Sequence, residues 1–174
     1  MFELDRKQRV KRLSRGQRAR AGLLIALAYR PELLVLDEPS SGLDPVVRRD
    51  ILAAIIRTVV DEGRTVLFSS HLLDEVQRVA DRVAMMHQGR LVLSDSMDSV
   101  VASHHRLTIR FTEPQAVPPS LTGALSWHGD GSEWVAVCNG QRDELKAAVH
   151  DVGAEIVDES SASLDEIFVA HVSG

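Results

Sequence analysis

The chain has 174 residues, with 20 Lys and Arg against 25 Asp and Glu and a formal net charge of −5, enough for one ordinary domain or two small ones. Hydrophobic residues make up 44% and charged residues 26%, a globular composition and not a disordered or fibrous one. The one cysteine, Cys138, excludes an internal disulfide and suits a reducing compartment.

The N-terminal region is basic, with Arg6, Lys7, Arg9, Lys11, Arg12, Arg15, Arg18 and Arg20 in close succession. Such a cluster attracts nucleic acid, forms a solvated helix face or sets a positive field near a nucleotide. No aromatic residue interleaves with it, so base stacking has no support and no direct nucleic-acid partner is expected. Within it, Ser14-Arg15-Gly16-Gln17 opens an apolar, helix-favouring run from Arg18 to Tyr29. Ser at the cap with Gln three residues on matches a capping box. A helix start also presents free N–H groups and the positive end of the dipole, which suit a phosphate, and Gly16 lets backbone approach a ligand closely. An ordinary capped helix explains the same residues. The longest apolar stretch, Ala21 to Tyr29, is far short of the ~20 residues that span a bilayer.

Leu33 to Leu36 are all apolar and follow Pro31-Glu32, as in a buried parallel strand. The strand runs into Asp37-Glu38. Burying unpaired carboxylates is costly, and ligands gather at the C-terminal ends of parallel strands. Asp37 can hold Mg²⁺ directly or through water. Glu38 is placed to orient or deprotonate an attacking water. The alternative is a pair of exposed carboxylates before the Pro39 turn. Ser40 to Asp44 reads as a loop, with Asp44 capping a helix that starts at Pro45. That helix runs to Glu62 with Val47, Ile51, Ala54, Ile55 and Val59 at helical spacing, and Gly63 ends it. Thr65–Ser69 is the next strand. His71 follows it, where an imidazole could contact a terminal phosphate and the attacking water or simply occupy a loop. A helix over 72–80, strands 82–87 and 90–94 joined at Gln88-Gly89, and a short helix over 95–103 complete an α/β layer.

From His104 the pattern changes to a small α+β unit. It has an alternating strand at 107–111, a proline-rich turn at 114–120, a hairpin over 124–127 and 134–138, a helix at 142–152, a strand at 154–158 and a last helix opened by Ser163. Cys138 reads as strand packing. His104 and His105 point to opposite faces of a strand, so no zinc site is expected.

In order and spacing these motifs resemble the C-terminal part of an ABC-type ATPase domain over residues 13 to about 95. Leu13-Ser14-Arg15-Gly16-Gln17 resembles the LSGGQ signature, with Arg15 in place of a glycine. Leu33–Asp37 followed by Glu38 resembles the Walker B strand with its catalytic glutamate. Ser41-Gly42-Leu43-Asp44 resembles the D-loop, and His71 the switch histidine. The resemblance implies a partial P-loop NTPase sheet in residues 1–103 and an accessory domain in 104–174. It implies ATP and Mg²⁺ as cofactors. Glu38 and His71 would be catalytic and Asp37 the metal residue, in cis. Ser14, Gly16, Gln17 and Asp44 would serve the nucleotide of a second ABC ATPase domain paired head to tail. The Ser163-Leu164-Asp165-Glu166-Ile167-Phe168 ending resembles that of ATPase subunits of ABC-2-type exporters. That implies a transmembrane permease partner and a cytoplasmic location at the inner face of the membrane.

No G-x-x-x-x-G-K-[ST] loop occurs in the sequence, so the phosphate loop and the rest of the N-terminal half of such a domain are absent from it. Phe2 to Arg6 resemble the middle of the family's helical subdomain, and the expectation is a truncated reading frame or a fragment. The isolated chain is therefore expected to hydrolyse ATP poorly. The alternative function is a non-catalytic subunit that lends its signature helix to a complete partner.

Overall fold

The computed structural model describes residues 7–173, so Phe2 to Arg6 lie outside the described residues. It is a mixed α/β chain that divides into two compact units, Met1–Leu72 and Leu73–Gly174.

In the first unit a short 3-10 turn, Val10–Arg12, precedes helix α1, Arg15–Ala28. Strand β1, Leu33–Leu36, helix α2, Pro45–Val60, and strand β2, Thr65–Phe68, follow. β1 and β2 pair in parallel, with Leu33 opposite Thr65 and Leu36 opposite Phe68, and the α2 crossover makes this a βαβ unit. Helix α2 forms where its sequence starts and stops it. Asp44 accepts from the Val46 and Val47 amides at 3.1 Å, Pro45 occupies the first turn, and Gly63 takes φ +64° just past the end. The buried face of α2 is Val47, Ile51, Ala54, Ile55 and Thr58, so the expected stripe holds except that Thr58 replaces Val59. Thr58 satisfies its hydroxyl on the Ala54 carbonyl at 2.8 Å. These side chains pack with Leu23, Leu27, Leu34 and Leu43 into one core, and Arg20 of α1 pairs with Asp50 of α2 at 2.5 Å.

One expectation is corrected. β1 is not buried on both faces: Leu34 is buried, whereas Leu33 is 54% and Val35 64% exposed. With Leu67 of β2, 61% exposed, they form an apolar face that nothing among the described residues of this unit covers. The physical reason is layer count, because the helices pack against only one side of the two strands.

The second unit contains helix α3, Leu73–Val79, an antiparallel hairpin of β3, Arg82–His87, and β4, Arg90–Ser96, and helix α4, Met97–Ser103. Gln88 and Gly89 at the hairpin tip take φ +47° and +74°, the left-handed pair that a tight two-residue turn requires. Strands β5, His104–Gln115, β6, Ala124–Asn139, and β7, Ala154–Ser161, form a sheet in the order β6-β5-β7. Helix α5, Arg142–Asp151, joins β6 to β7, and α6, Leu164–Ser173, ends the chain. β6 doubles back on itself, since the Asn139 amide donates to the Gly123 carbonyl at 2.7 Å and Trp127 meets Trp134 edge to face. The compact units divide at Leu72, not at 103. Val83, Met85, Met97 and Val100 share one core with Val137, Ala162, Leu164 and Ile167, which binds the hairpin and α4 to the C-terminal elements. Cys138 is free and fully buried, and burial pushes its thiol up to about 11.

His104, at the turn from α4 into β5, is 2% exposed. Its Nδ1 lies 2.8 Å from the Val100 carbonyl, so Nδ1 carries the proton and Nε2 is the acceptor. His171 Nε2 on α6, 3.3 Å away, is then the donor. Sequence gave no signal for this pairing across 67 positions. Desolvation holds His104 below its ordinary 6.5, against the raising effect of the Val100 bond, and the neighbouring His171 and His105 push it lower still. Below that ordinary value the unfolded chain accepts a proton that the folded one resists, so this contribution to stability is present above it and lost as pH falls. The melting temperature is expected to drop between pH 7 and pH 5, and to drop less in His104→Gln. Equal drops in both proteins would refute the assignment.

Candidate functional site

The parallel pairing of β1 and β2 sets the site, because it brings the C-terminal ends of both strands side by side. Leu36 stands opposite Phe68, so Asp37 and Glu38 emerge beside Ser69 and close to His71. Ser69 Oγ donates to Asp37 Oδ1 at 2.6 Å and accepts from the Glu38 amide at 2.9 Å. One hydroxyl thus fixes both acidic residues. His71 Nδ1 lies 2.7 Å from Glu38 Oε2. Glu38 takes φ +46°, a left-handed conformation that costs a residue with a Cβ on the order of 1 kcal/mol. Its amide bond to Ser69 and its carbonyl, which accepts from the Ser41 amide at 3.1 Å, hold it there. Asp37, Ser69 and His71 are exposed and Glu38 is half-buried, so the group is open to water and to a ligand.

The start of α1 forms the expected capping box. Gln17 N–H donates to Ser14 Oγ at 3.2 Å, and the Ser14 amide donates to Gln17 Oε1 at 2.9 Å. Ser14 and Gln17 therefore spend these side-chain bonds on each other, while the first amides of the helix, at Arg15 and Gly16, have no acceptor within the helix by position. Gly16 has a further role that its sequence context did not reveal. A Cβ there would lie 2.8 Å from Val47 Cγ2, so its absence permits α1 and α2 to approach. Asp44 is where expected, as the cap of α2.

A cleft of about 290 Å³ lies beside the acidic pair, walled by Asp37, Glu38, Arg15 and Ser41 over an apolar floor that includes Leu23, Leu36 and Ile51. The structure thus joins Asp37 to Glu38 through the Ser69 hydroxyl and Glu38 to His71 directly, and joins Ser14 to Gln17. Ser14, Gly16, Gln17, Asp44 and His71 do not line the cleft. Ser69 and the Arg15 side chain were missed in sequence. Ser69 had a visible signal, since it ends the strand parallel to the one that ends in Asp37. The donor set suits a hard divalent cation, because Asp37 offers carboxylate oxygen beside a hydroxyl at a position where water can complete the shell. Among the described residues there is no group of three or more metal-ligating His, Cys, Asp or Glu side chains.

A family model described as "AAA domain, putative AbiEii toxin, Type IV TA system" matches residues 2–76. An uncharacterised ABC transporter ATP-binding protein of Nostoc sp. is 32% identical over 95% of this chain and 50% of its own length. The lantibiotic transport ATP-binding protein SrtF of Streptococcus pyogenes is 40% identical over 53% of this chain and 40% of its own. The phosphonates import ATP-binding protein PhnC of Hyphomonas neptunium is 38% identical over 71% and 44%. A solved dimeric ATP-binding cassette bound to ADP and Pi overlaps 52% of this chain and 38% of its own, with 22% identity and a TM-score of 0.48. The chain spans about half the length, or less, of these curated relatives.

Proposed function

We propose that this chain, whose homologues are ABC transporter ATP-binding proteins, supplies the acidic pair, the histidine and the signature helix of an ATP-hydrolysing transport subunit. The phosphate loop comes from polypeptide outside these 174 residues. The observation that carries the reading is the contact of Glu38 with His71 at 2.7 Å, beside an Asp37 fixed by Ser69. Bound Mg²⁺ would neutralise charge on the terminal phosphates, and Asp37 is the residue that would hold it. Glu38 accepts the proton of the attacking water on Oε1, because Oε2 is engaged by His71. The Nε2 of His71 is left to contact the terminal phosphate. Ser14, Gly16, Gln17 and Asp44 face the nucleotide of a second ABC ATPase domain, in a head-to-tail pair. The pair works on a transmembrane permease from the cytoplasmic face. No helix among the described residues is long and apolar enough to cross a membrane itself. The Ser163–Phe168 ending supports export as the direction.

A second reading is favoured by the sequence's lack of a G-x-x-x-x-G-K-[ST] loop. In it the chain is a non-catalytic partner that lends Ser14 and Gln17 to a complete ATPase domain. Both readings predict association with an intact ABC ATPase domain that depends on MgATP. Association is expected to survive Glu38→Gln and to fail in Ser14→Arg, as measured by co-elution of the purified proteins. Slow turnover by the isolated chain, rising on pairing and falling again with Glu38→Gln, selects the catalytic reading. Absence of association at any nucleotide concentration would refute both.

A further inference from the structure

We propose that Arg15 is a positioning residue that ties the start of α1 to the loop Ser40–Asp44 and, through it, to Glu38. The residue stands where the signature would have glycine, and the structure gives its side chain a partner within the same unit. Arg15 Nη2 donates to the Ser41 carbonyl at 3.1 Å. The guanidinium also lies flat against Gly42. A Cβ built on Gly42 would meet Arg15 Nη2, Cζ and Nη1 at 2.4, 2.6 and 2.6 Å, nearly equal distances that mark a planar group seen face on. Gly42 has φ +63°, so the loop combines a conformation that favours glycine with a bare Cα on which the guanidinium rests and from which a Cβ would displace it.

The tether continues beyond the loop. The Ser41 amide donates to the Glu38 carbonyl at 3.1 Å, so two hydrogen bonds lead from the α1 start to the residue assigned as base. On the other side of the loop, Leu43 is buried in the core and Asp44 caps α2. An arginine reaches this loop and a glycine could not. The guanidinium offers several donors in one plane, so it can bond a carbonyl and stack on a peptide at once. The consequence rests on the proposed function: the segment facing a partner's nucleotide and the segment holding Glu38 move as one body. Arg15 then affects turnover through Glu38 without touching nucleotide.

The test has two arms, both on the full chain. In the first, amide hydrogen exchange at Ser41 and Leu43 is compared in wild type, Arg15→Ala, Arg15→Lys, Gly42→Ala and the double variant that combines Arg15→Ala with Gly42→Ala. Loss of a hydrogen bond to a charged donor is expected to speed exchange in Arg15→Ala about tenfold. Lys, which can bond but not stack, gives an intermediate rate. The double variant separates the contact from backbone strain: the positive-φ penalty of Gly42→Ala is common to both backgrounds and cancels, so its effect must be smaller in Arg15→Ala than in wild type. Unchanged exchange in Arg15→Ala, or equal effects of Gly42→Ala in both backgrounds, would overturn the tether even if the site reading stands.

In the second arm the chain is paired with an intact ABC ATPase domain and supplied with MgATP. Arg15→Ala is expected to lower kcat several-fold with KM for ATP unchanged, and Arg15→Lys to recover part of the loss. A raised KM at constant kcat would make Arg15 a nucleotide contact and overturn the positioning role. Failure of the wild type to pair would instead sink the functional reading and leave the exchange arm to decide the tether.

Discussion

Glu38→Gln is expected to lower ATP turnover of the assembled pair by on the order of 10²–10⁴-fold, the usual worth of a positioned general base. The substitution is close to isosteric, and the left-handed φ of +46° burdens Glu and Gln alike. The Gln carbonyl can still face His71, and the amide of residue 38 can still donate to Ser69, so the loop geometry is kept. What is lost is the capacity to take up a proton. MgATP binding and pairing should therefore persist, and a trapped nucleotide-bound pair should accumulate. The measurement is single-turnover hydrolysis alongside co-elution. Turnover within twofold of wild type would leave the proton transfer to the partner domain and select the non-catalytic reading.

The largest structural effect is expected at Ile51. It is 1% exposed and belongs to the core that joins α1, α2 and β1. Ile51→Ala should cost the first unit about 2–5 kcal/mol through lost burial and the cavity left behind. This unit has little to spare, because two paired strands have no independent stability and depend on the helices that cover them. Local unfolding of Met1–Leu72 should then occur at lower urea than unfolding of Leu73–Gly174, as followed by hydrogen exchange of each unit. Ile25→Ala, at a position 64% exposed on α1, should change stability by less than about 0.5 kcal/mol. Equal effects of the two substitutions would mean that the α1–α2 core does not hold the unit together.

Much of the fold was legible before any coordinates. Local chemistry decides where α1 and α2 start: Ser14 and Asp44 have side-chain oxygens that reach the first amides of their own helices, so neighbours in sequence suffice. Helical spacing likewise named Val47, Ile51, Ala54 and Ile55, because a 3.6-residue period needs no knowledge of what covers the face. The turn at Gln88-Gly89 was legible for the same reason. Burial of β1 was not. A run of four apolar residues reads the same whether one face is covered or two, and the exposure of Leu33 and Val35 depends on how many layers surround the strand.

Sequence by itself thus determined the order of motifs, the caps, the periodic faces and the chemical types at the strand ends, all of which rest on contacts within a few residues. Only the tertiary structure decided that Ser69 bridges Asp37 and Glu38, that Arg15 lies on Gly42, that Gly16 makes room for Val47 and that His104 meets His171. Each of those joins residues 27 to 67 positions apart. Such contacts are fixed by strand register and helix packing, which the chain encodes collectively and no short motif carries.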